Sequence, residues 1–250
     1  MTDERRLARP QPGPRRVAAV LVAAVLLGGC SRVSNYGLLE PASRQAEAVT
    51  GLYRVFFWVA AAIAVIVYGL IVWAVIRYRH RSRALPSQRQ YHVPLEIFYT
   101  VVPLLIVIGL FIGTTRTQTD VGAVSDDPDL RVEVTAFQWD WRFAYPDHDV
   151  VVSGSPEQTA ELVLPAQSTV RLTVTSEDVI HSLWVPALLF KRDMFPGATS
   201  TFDVDTTREG VFAGRCAEFC GLQHAAMDFQ VRVLGAEEFG RWLDEQAGTS

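Results

Sequence analysis

The residues best equipped for chemistry lie in one stretch, Cys216-Ala217-Glu218-Phe219-Cys220-Gly221-Leu222-Gln223-His224-Ala225-Ala226-Met227. Two thiols, an imidazole and a thioether fall within twelve residues, just ahead of a strand-like run. Thiolate and thioether are soft ligands and imidazole suits copper, so the set favours copper over magnesium or calcium. A structural zinc site has no need of a weak thioether, and the loop alone lacks a fourth strong ligand. His181, 35 residues before Cys216 in Val179-Ile180-His181-Ser182, can supply one. A mononuclear blue-copper site takes a single cysteine, and here there are two. Two thiolates shared between two metals let each ion take one imidazole and one weak axial ligand. In that arrangement the Met227 sulfur can serve one ion and a backbone carbonyl near Glu218 the other. The alternative is a Cys216–Cys220 disulfide, which an oxidising compartment permits but which explains neither His224 nor Met227.

The scaffold that must hold this loop reads as β structure. Beyond Asp129 come short β-rich runs at Leu130–Phe137, Trp141–Tyr145, Ala160–Leu164, Ser168–Thr175, Thr199–Val204 and Met227–Leu234, separated by turn residues. Alternation is plain in Val170, Leu172, Val174 and in Phe229, Val231, Val233, so one face of each is buried. Such spacing predicts an antiparallel sandwich or barrel. A closing helix is expected over Ala236–Gln246, with acids in its first turn and Phe239, Trp242 and Leu243 as a core-facing stripe.

Charge divides the chain. Met1–Arg116 carries 14 arginines and 5 acids, net +9, whereas Thr117–Ser250 carries 9 basic and 22 acidic residues, net −13. So acidic a domain repels nucleic acid and anionic headgroups and attracts a basic partner. Its acids include Asp147, Asp149, Glu177 and Asp178, which can form a docking rim or simply a solvated face.

Two uncharged runs precede the acidic domain. Val55–Ile76 is 22 residues long, about 33 Å as a helix and enough for one bilayer crossing. Ile97–Thr115 is the second, with Pro103 inside it, where neighbouring helices can satisfy the freed carbonyl. The connector carries Arg77, Arg79, Arg81, Arg83 and Arg89, so the positive-inside rule puts it in the cytoplasm and both flanks outside. Ahead of the hairpin, an arginine-rich start and the apolar run Val17–Leu27 read as an export signal, too short to span a membrane. It ends in Leu27-Gly28-Gly29-Cys30, resembling the cleavage box of bacterial lipoproteins, in which the cysteine becomes acylated. The expected organisation is a signal over 1–29, a hairpin over 30–116 with helices near 52–76 and 96–115 joined by a loop over 77–95, and an outer domain over 117–250.

The C-x-E-x-C-x-x-x-H-x-x-M loop with its upstream histidine resembles the binuclear CuA site of cytochrome c oxidase subunit II. The resemblance covers nearly the whole chain after the signal: two-helix hairpin, cupredoxin-like Greek-key domain and copper loop. It implies that Cys216 and Cys220 bridge two coppers, that His181, His224 and Met227 are side-chain ligands, and that Glu218 binds through its carbonyl. It also implies a magnesium on the Glu218 side chain at the boundary with subunit I. Gln138-Trp139-Asp140-Trp141 resembles the family's Gln-Trp-x-Trp segment, which makes Trp139 the point where electrons arrive. Asp140 stands where many relatives have an aromatic residue. His92-x-Pro94-x-Glu96 with Thr100 and Pro103 resembles the segment whose glutamate marks the mouth of a proton pathway, with Tyr99 in place of the commoner tryptophan. Lys191-Arg192-Asp193 before Pro196-Gly197 resembles the segment that faces subunit I.

The implied role is to take electrons from a soluble or membrane-tethered cytochrome c and pass them to haem in subunit I, where oxygen becomes water and protons are moved. The chain lacks a haem-binding Cys-x-x-Cys-His, so it does not reduce oxygen by itself. A quinol oxidase subunit resembles a version without the copper ligands. A nitrous-oxide reductase needs a large second domain, and a copper chaperone has no reason to place His224 and Met227 straight after its second cysteine.

Overall fold

The computed structural model describes residues 37–79, 88, 90–155 and 158–248. Cys30, the stretch expected to be an export signal (1–29) and the connector residues Arg81, Arg83 and Arg89 lie outside the described residues. Glu40–Ser250 forms one compact unit, and everything below concerns it.

Two long helices come first, α1 (Arg44–Arg77) and α2 (Val93–Val121). Both are apolar enough to cross a membrane, and their apolar stretches are not buried by the rest of the chain. Each outruns its uncharged core because capping extends it. Ser43 starts α1, its hydroxyl accepting from the Ala46 N–H. His92 starts α2 through Nδ1, with Pro94 in the first turn, where a missing N–H costs nothing. The Glu96 carboxylate accepts from the His92 N–H at 3.0 Å, a reciprocal arrangement like a capping box. The helix continues through Pro103.

The β domain holds ten strands: β1 (Leu130–Phe137), β2 (Asp140–Tyr145), β3 (Val150–Ser153), β4 (Ala160–Pro165), β5 (Thr169–Ser176), β6 (His181–Val185), β7 (Phe190–Met194), β8 (Ser200–Asp205), β9 (Gly210–Cys216) and β10 (Asp228–Leu234). They form two five-stranded sheets, in the orders β3-β2-β1-β5-β8 and β4-β10-β9-β6-β7. The sequence pattern predicts antiparallel pairing throughout. Instead each sheet contains one parallel pair, β1 with β5 and β4 with β10, because the first strand of each sheet is joined by a long connection rather than a hairpin to its neighbour.

The alternating residues fill the space between the sheets. Val132 and Val134, Trp141 and Phe143, Leu162 and Leu164, Val170 and Leu172, and Phe229 and Val231 are all buried. Trp141 and Phe143 lie against Phe229 with centroids 4.8 and 5.7 Å away. Gly214, opposite Phe229 on β9, gives that ring its place, since a Cβ there would lie 2.3 Å from it. The closing helix α3 (Ala236–Ala247) buries Phe239 and Trp242, and Trp242 meets Tyr145 edge to face at 5.1 Å. The buried Tyr145 hydroxyl donates to the Val163 carbonyl and accepts from the Val163 N–H, both at 2.9 Å. That satisfies β4, an edge strand, where it has no strand neighbour.

The start of α1 and the end of α2 are fastened to this domain. Ala42 and Ala46 are fully buried, the Ala42 N–H donates to the Ala187 carbonyl, and Ser43 bridges Thr206. Arg44 and Gln45 both bond Asp205. After α2, the Ser125 N–H donates to Asp203 at 2.6 Å while Arg171 pairs with the same carboxylate.

Candidate metal centre

Cys216 ends β9 and Asp228 begins β10, so the chemically loaded stretch is the connection between adjacent antiparallel strands. Its ends are tied by the Cys216 N–H donating to the Met227 carbonyl at 3.0 Å. His181 is the first residue of β6, which flanks β9 on its other side, with Leu183 opposite Cys216. The Ala217 N–H donates to the Ser182 carbonyl, which turns the loop across the end of β6. Residues distant in sequence therefore meet because three neighbouring strands end together.

The donor atoms converge. Those of His181, Cys216 and Cys220 lie within 4.8 Å of one another. His181 Nδ1 is 3.8 Å from Cys216 Sγ, and the two sulfurs are 3.8 Å apart. His224 Nδ1 lies 3.6 Å and Met227 Sδ 3.7 Å from Cys220 Sγ. The Glu218 carbonyl lies 3.2 Å from Cys216 Sγ. A disulfide needs about 2.05 Å between sulfurs, so both cysteines are free thiols. Their spacing is within the about 4.6 Å that two metal–thiolate bonds of about 2.3 Å can span, so the residues present fit a thiolate-bridged metal site.

The site is withdrawn from solvent. Cys216, Cys220, Met227 and His181 are at most 5% exposed. Desolvation, reinforced by the neighbouring Cys216, pushes the Cys220 thiol up to about 12. Without a cation that thiol keeps its proton, and binding a soft metal must release it.

Four side chains hold this cluster, of which the sequence reading has Asp178 only as rim and Trp139 only as the point where electrons arrive. Asp178 Oδ1 accepts from His181 Nε2 at 2.8 Å, which leaves Nδ1 facing the sulfurs. Its two oxygens also accept from the Val179 and Gln138 N–H groups, each at 2.6 Å. Burial draws that carboxyl upward, but these hydrogen bonds outweigh it and hold it below the usual range. The Gln138 amide and the Trp139 indole N–H both donate to the Cys220 carbonyl, at 2.7 and 3.1 Å. The buried Trp141 indole N–H points at the Met227 carbonyl, 3.4 Å away. A sequence signal existed for Asp178, three residues before His181, but nothing in the sequence says which way an exposed-looking acid turns.

The rest of the acidic rim is partly neutralised within the chain. Glu177 pairs with Arg142 and Asp147 with Arg131. Glu218 is exposed, as are Phe219 and Leu222 beside it, at 77% and 89%. Lys191, Arg192 and Asp193 lie on β7, an edge strand rather than a loop. Asp193 accepts from the buried Ser182 hydroxyl at 2.8 Å. Glu96 lies at the start of α2 and does not join the cluster.

A two-sheet sandwich carrying a Cys2His2Met cluster at the end of adjacent strands, with two membrane-length helices attached, is a membrane-anchored cupredoxin-like metal domain. The family model for the periplasmic domain of cytochrome c oxidase subunit II matches residues 155–234, and that for its transmembrane domain matches residues 31–114. The chain is 35% identical to a probable cytochrome c oxidase subunit 2 of Streptomyces avermitilis, over 95% of this chain and 88% of the relative. It is 32% identical to cytochrome c oxidase subunit 2 of Corynebacterium glutamicum, over 79% of this chain and 72% of that one. The solved periplasmic domain of subunit II of cytochrome oxidase of Bradyrhizobium japonicum is 30% identical, covering 50% of this chain and 99% of that one, with a TM-score of 0.47. This chain belongs to the cytochrome c oxidase subunit II family. It is the electron-accepting subunit of a haem-copper oxidase, with a copper-binding domain anchored to the membrane by two helices.

Proposed function

We propose that the cluster holds two copper ions, bridged by Cys216 and Cys220 and completed by His181, His224, Met227 and the Glu218 carbonyl. The carrying observation is the donor count: two thiolates sit among two imidazoles, a thioether and a carbonyl, all within 3.8 Å of a sulfur. Six donors exceed what one tetrahedral ion takes, and shared thiolates give each of two ions one imidazole and one weak ligand. When bound, such a pair supplies a one-electron redox couple. The chain's part is to hold the donors rigidly and dry, so that little rearranges when charge arrives.

Electrons reach the centre through Trp139, in this reading. Support comes from its half-buried ring and its N–H contact to the Cys220 carbonyl, which link the surface to a bridging residue directly. The donor is a cytochrome c, soluble or tethered. The net charge of −13 on the outer domain suits a basic donor, and the exposed Phe219, Leu222, Val179 and Ile180 give such a partner an apolar contact ring. The acceptor is subunit I, with a magnesium on the exposed Glu218 side chain at the shared boundary. Glu96 marks the mouth of a proton pathway, in addition to its capping bond. The copper domain lies on the outer face, as the arginine-rich connector argues, and Cys30 is the lipidated N-terminus after removal of 1–29.

The test is copper titration of the full chain purified in detergent, followed by electron paramagnetic resonance. Uptake of two ions per chain, with hyperfine structure from one electron shared by equivalent coppers, is the expected result. One blue or colourless copper per chain overturns the binuclear reading.

A further inference from the structure

The Cys220 carbonyl accepts two hydrogen bonds from one short segment, the Gln138 amide at 2.7 Å and the Trp139 indole at 3.1 Å. This is unusual for a loop residue whose neighbours Phe219 and Leu222 are solvent-exposed. The same segment is tethered from behind, because the Gln138 N–H donates to Asp178, which also holds His181. Gly221 makes the approach possible. Its φ is +117, and a Cβ there would lie 3.1 Å from Gln138 Nε2 and 3.3 Å from the Trp139 ring. The turn between β1 and β2 thus closes on a peptide of the loop between β9 and β10 and is backed by the segment leading into β6.

We propose that Gln138 is a positioning residue that, together with Trp139, clamps the Cys220 peptide and fixes the second thiol before any metal arrives. This rests on the reading of Cys220 as a metal ligand, but the clamp itself is a property of the metal-free chain. Between its tied ends the loop is held by contacts of the Cys220 sulfur with Cys216, His224 and Met227 and by a few backbone bonds. Its internal bonds are short-range turns, from His224 N–H to Gly221, Ala226 N–H to Gln223 and Met227 N–H to His224. None of these joins Cys220 to a strand. Without the clamp, the 3.8 Å sulfur spacing depends on a segment free to open toward solvent.

The experiment measures thiol reactivity of the metal-free full chain in detergent, using a maleimide and site-resolved peptide mass spectrometry so that Cys30 is read separately. Cys216 and Cys220 are buried, so labelling requires the loop to open. In Gln138→Leu, which keeps the bulk and removes the donor, Cys220 should label about two- to tenfold faster, the range expected for one lost hydrogen bond. The midpoint of thermal unfolding should barely move. A merely structural role would give the opposite pattern, a lower midpoint with no selective gain at Cys220. Should Gln138→Leu unfold, Trp139→Phe, which removes the other donor to the same carbonyl, decides by the same labelling criterion. Native labelling rates in a folded variant overturn the clamp. Loss of the binuclear copper signal in the wild-type chain, with the labelling effect intact, would overturn the metal reading and leave the clamp standing.

Discussion

Asp178 offers the sharpest perturbation. Its Oδ1 holds His181 Nε2 at 2.8 Å and the Val179 N–H at 2.6 Å, and its Oδ2 holds the Gln138 N–H at 2.6 Å. His181 is fully buried, and Asp178 is the partner of its Nε2. Asp178→Ala removes both acceptor oxygens, and with them all three hydrogen bonds, and frees the imidazole to turn or to change tautomer. Partners of this kind on a ligating histidine are worth about 10- to 100-fold in metal affinity, or about 1.4–2.7 kcal/mol. Asp178→Asn should do less harm, because the remaining oxygen can keep His181 and Val179 while the amide faces Gln138. The expected order of copper affinity is wild type, then Asn, then Ala, with Ala down by at least tenfold. Competition against a copper chelator of known affinity measures it. An Ala variant that binds copper like the wild type would refute the claim that this carboxylate orients the ligand. Equal losses in Asn and Ala would show that charge, not orientation, is what matters.

Removing the Tyr145 hydroxyl as Tyr145→Phe strands both backbone groups of Val163, at about 2 kcal/mol. The unfolding midpoint of the β domain should fall by about 4–8 °C, as calorimetry would read. Gly214→Ala sets a Cβ 2.3 Å from the Phe229 ring and should destabilise by about 1–3 kcal/mol through overpacking, measurable by denaturant titration. Asp193 is held below the ordinary carboxylate value of 3.8 by hydrogen bonds from Ser182 and Lys191. A depressed folded-state value means stability that is fully present above 3.8 and lost as pH falls through the folded value. Asp193→Asn should therefore lower the unfolding midpoint near neutral pH, and the gap from wild type should narrow as the pH drops below that range.

Much of the architecture was legible because its signals are local. Membrane helices announce themselves by length and absence of charge, and six of the ten strands by alternation or β-rich composition. The four strands that did not stand out each break a local rule. β3 is only four residues long. β6 is buried at four of its five positions and shows no alternation. β7 carries Lys191, Arg192 and Asp193, as an edge strand can. β9 contains Gly210 and Gly214, and Gly214 is tolerated only because Phe229 fills the space above it. Two of these four, β6 and β9, deliver His181 and Cys216.

The sequence by itself singled out the candidate ligands of the loop, since soft donors crowded into twelve residues have few other uses, and it determined the membrane-length helices, since apolar length suffices for that. Tertiary structure alone decided that the thiols stay apart at 3.8 Å, that His181 presents Nδ1 to them, and that Gln138, Trp139 and Asp178 hold the loop in place. These are consequences of strand register and side-chain direction between segments up to 82 residues apart. Such relations are fixed by packing two sheets together, and no local pattern of residues encodes them.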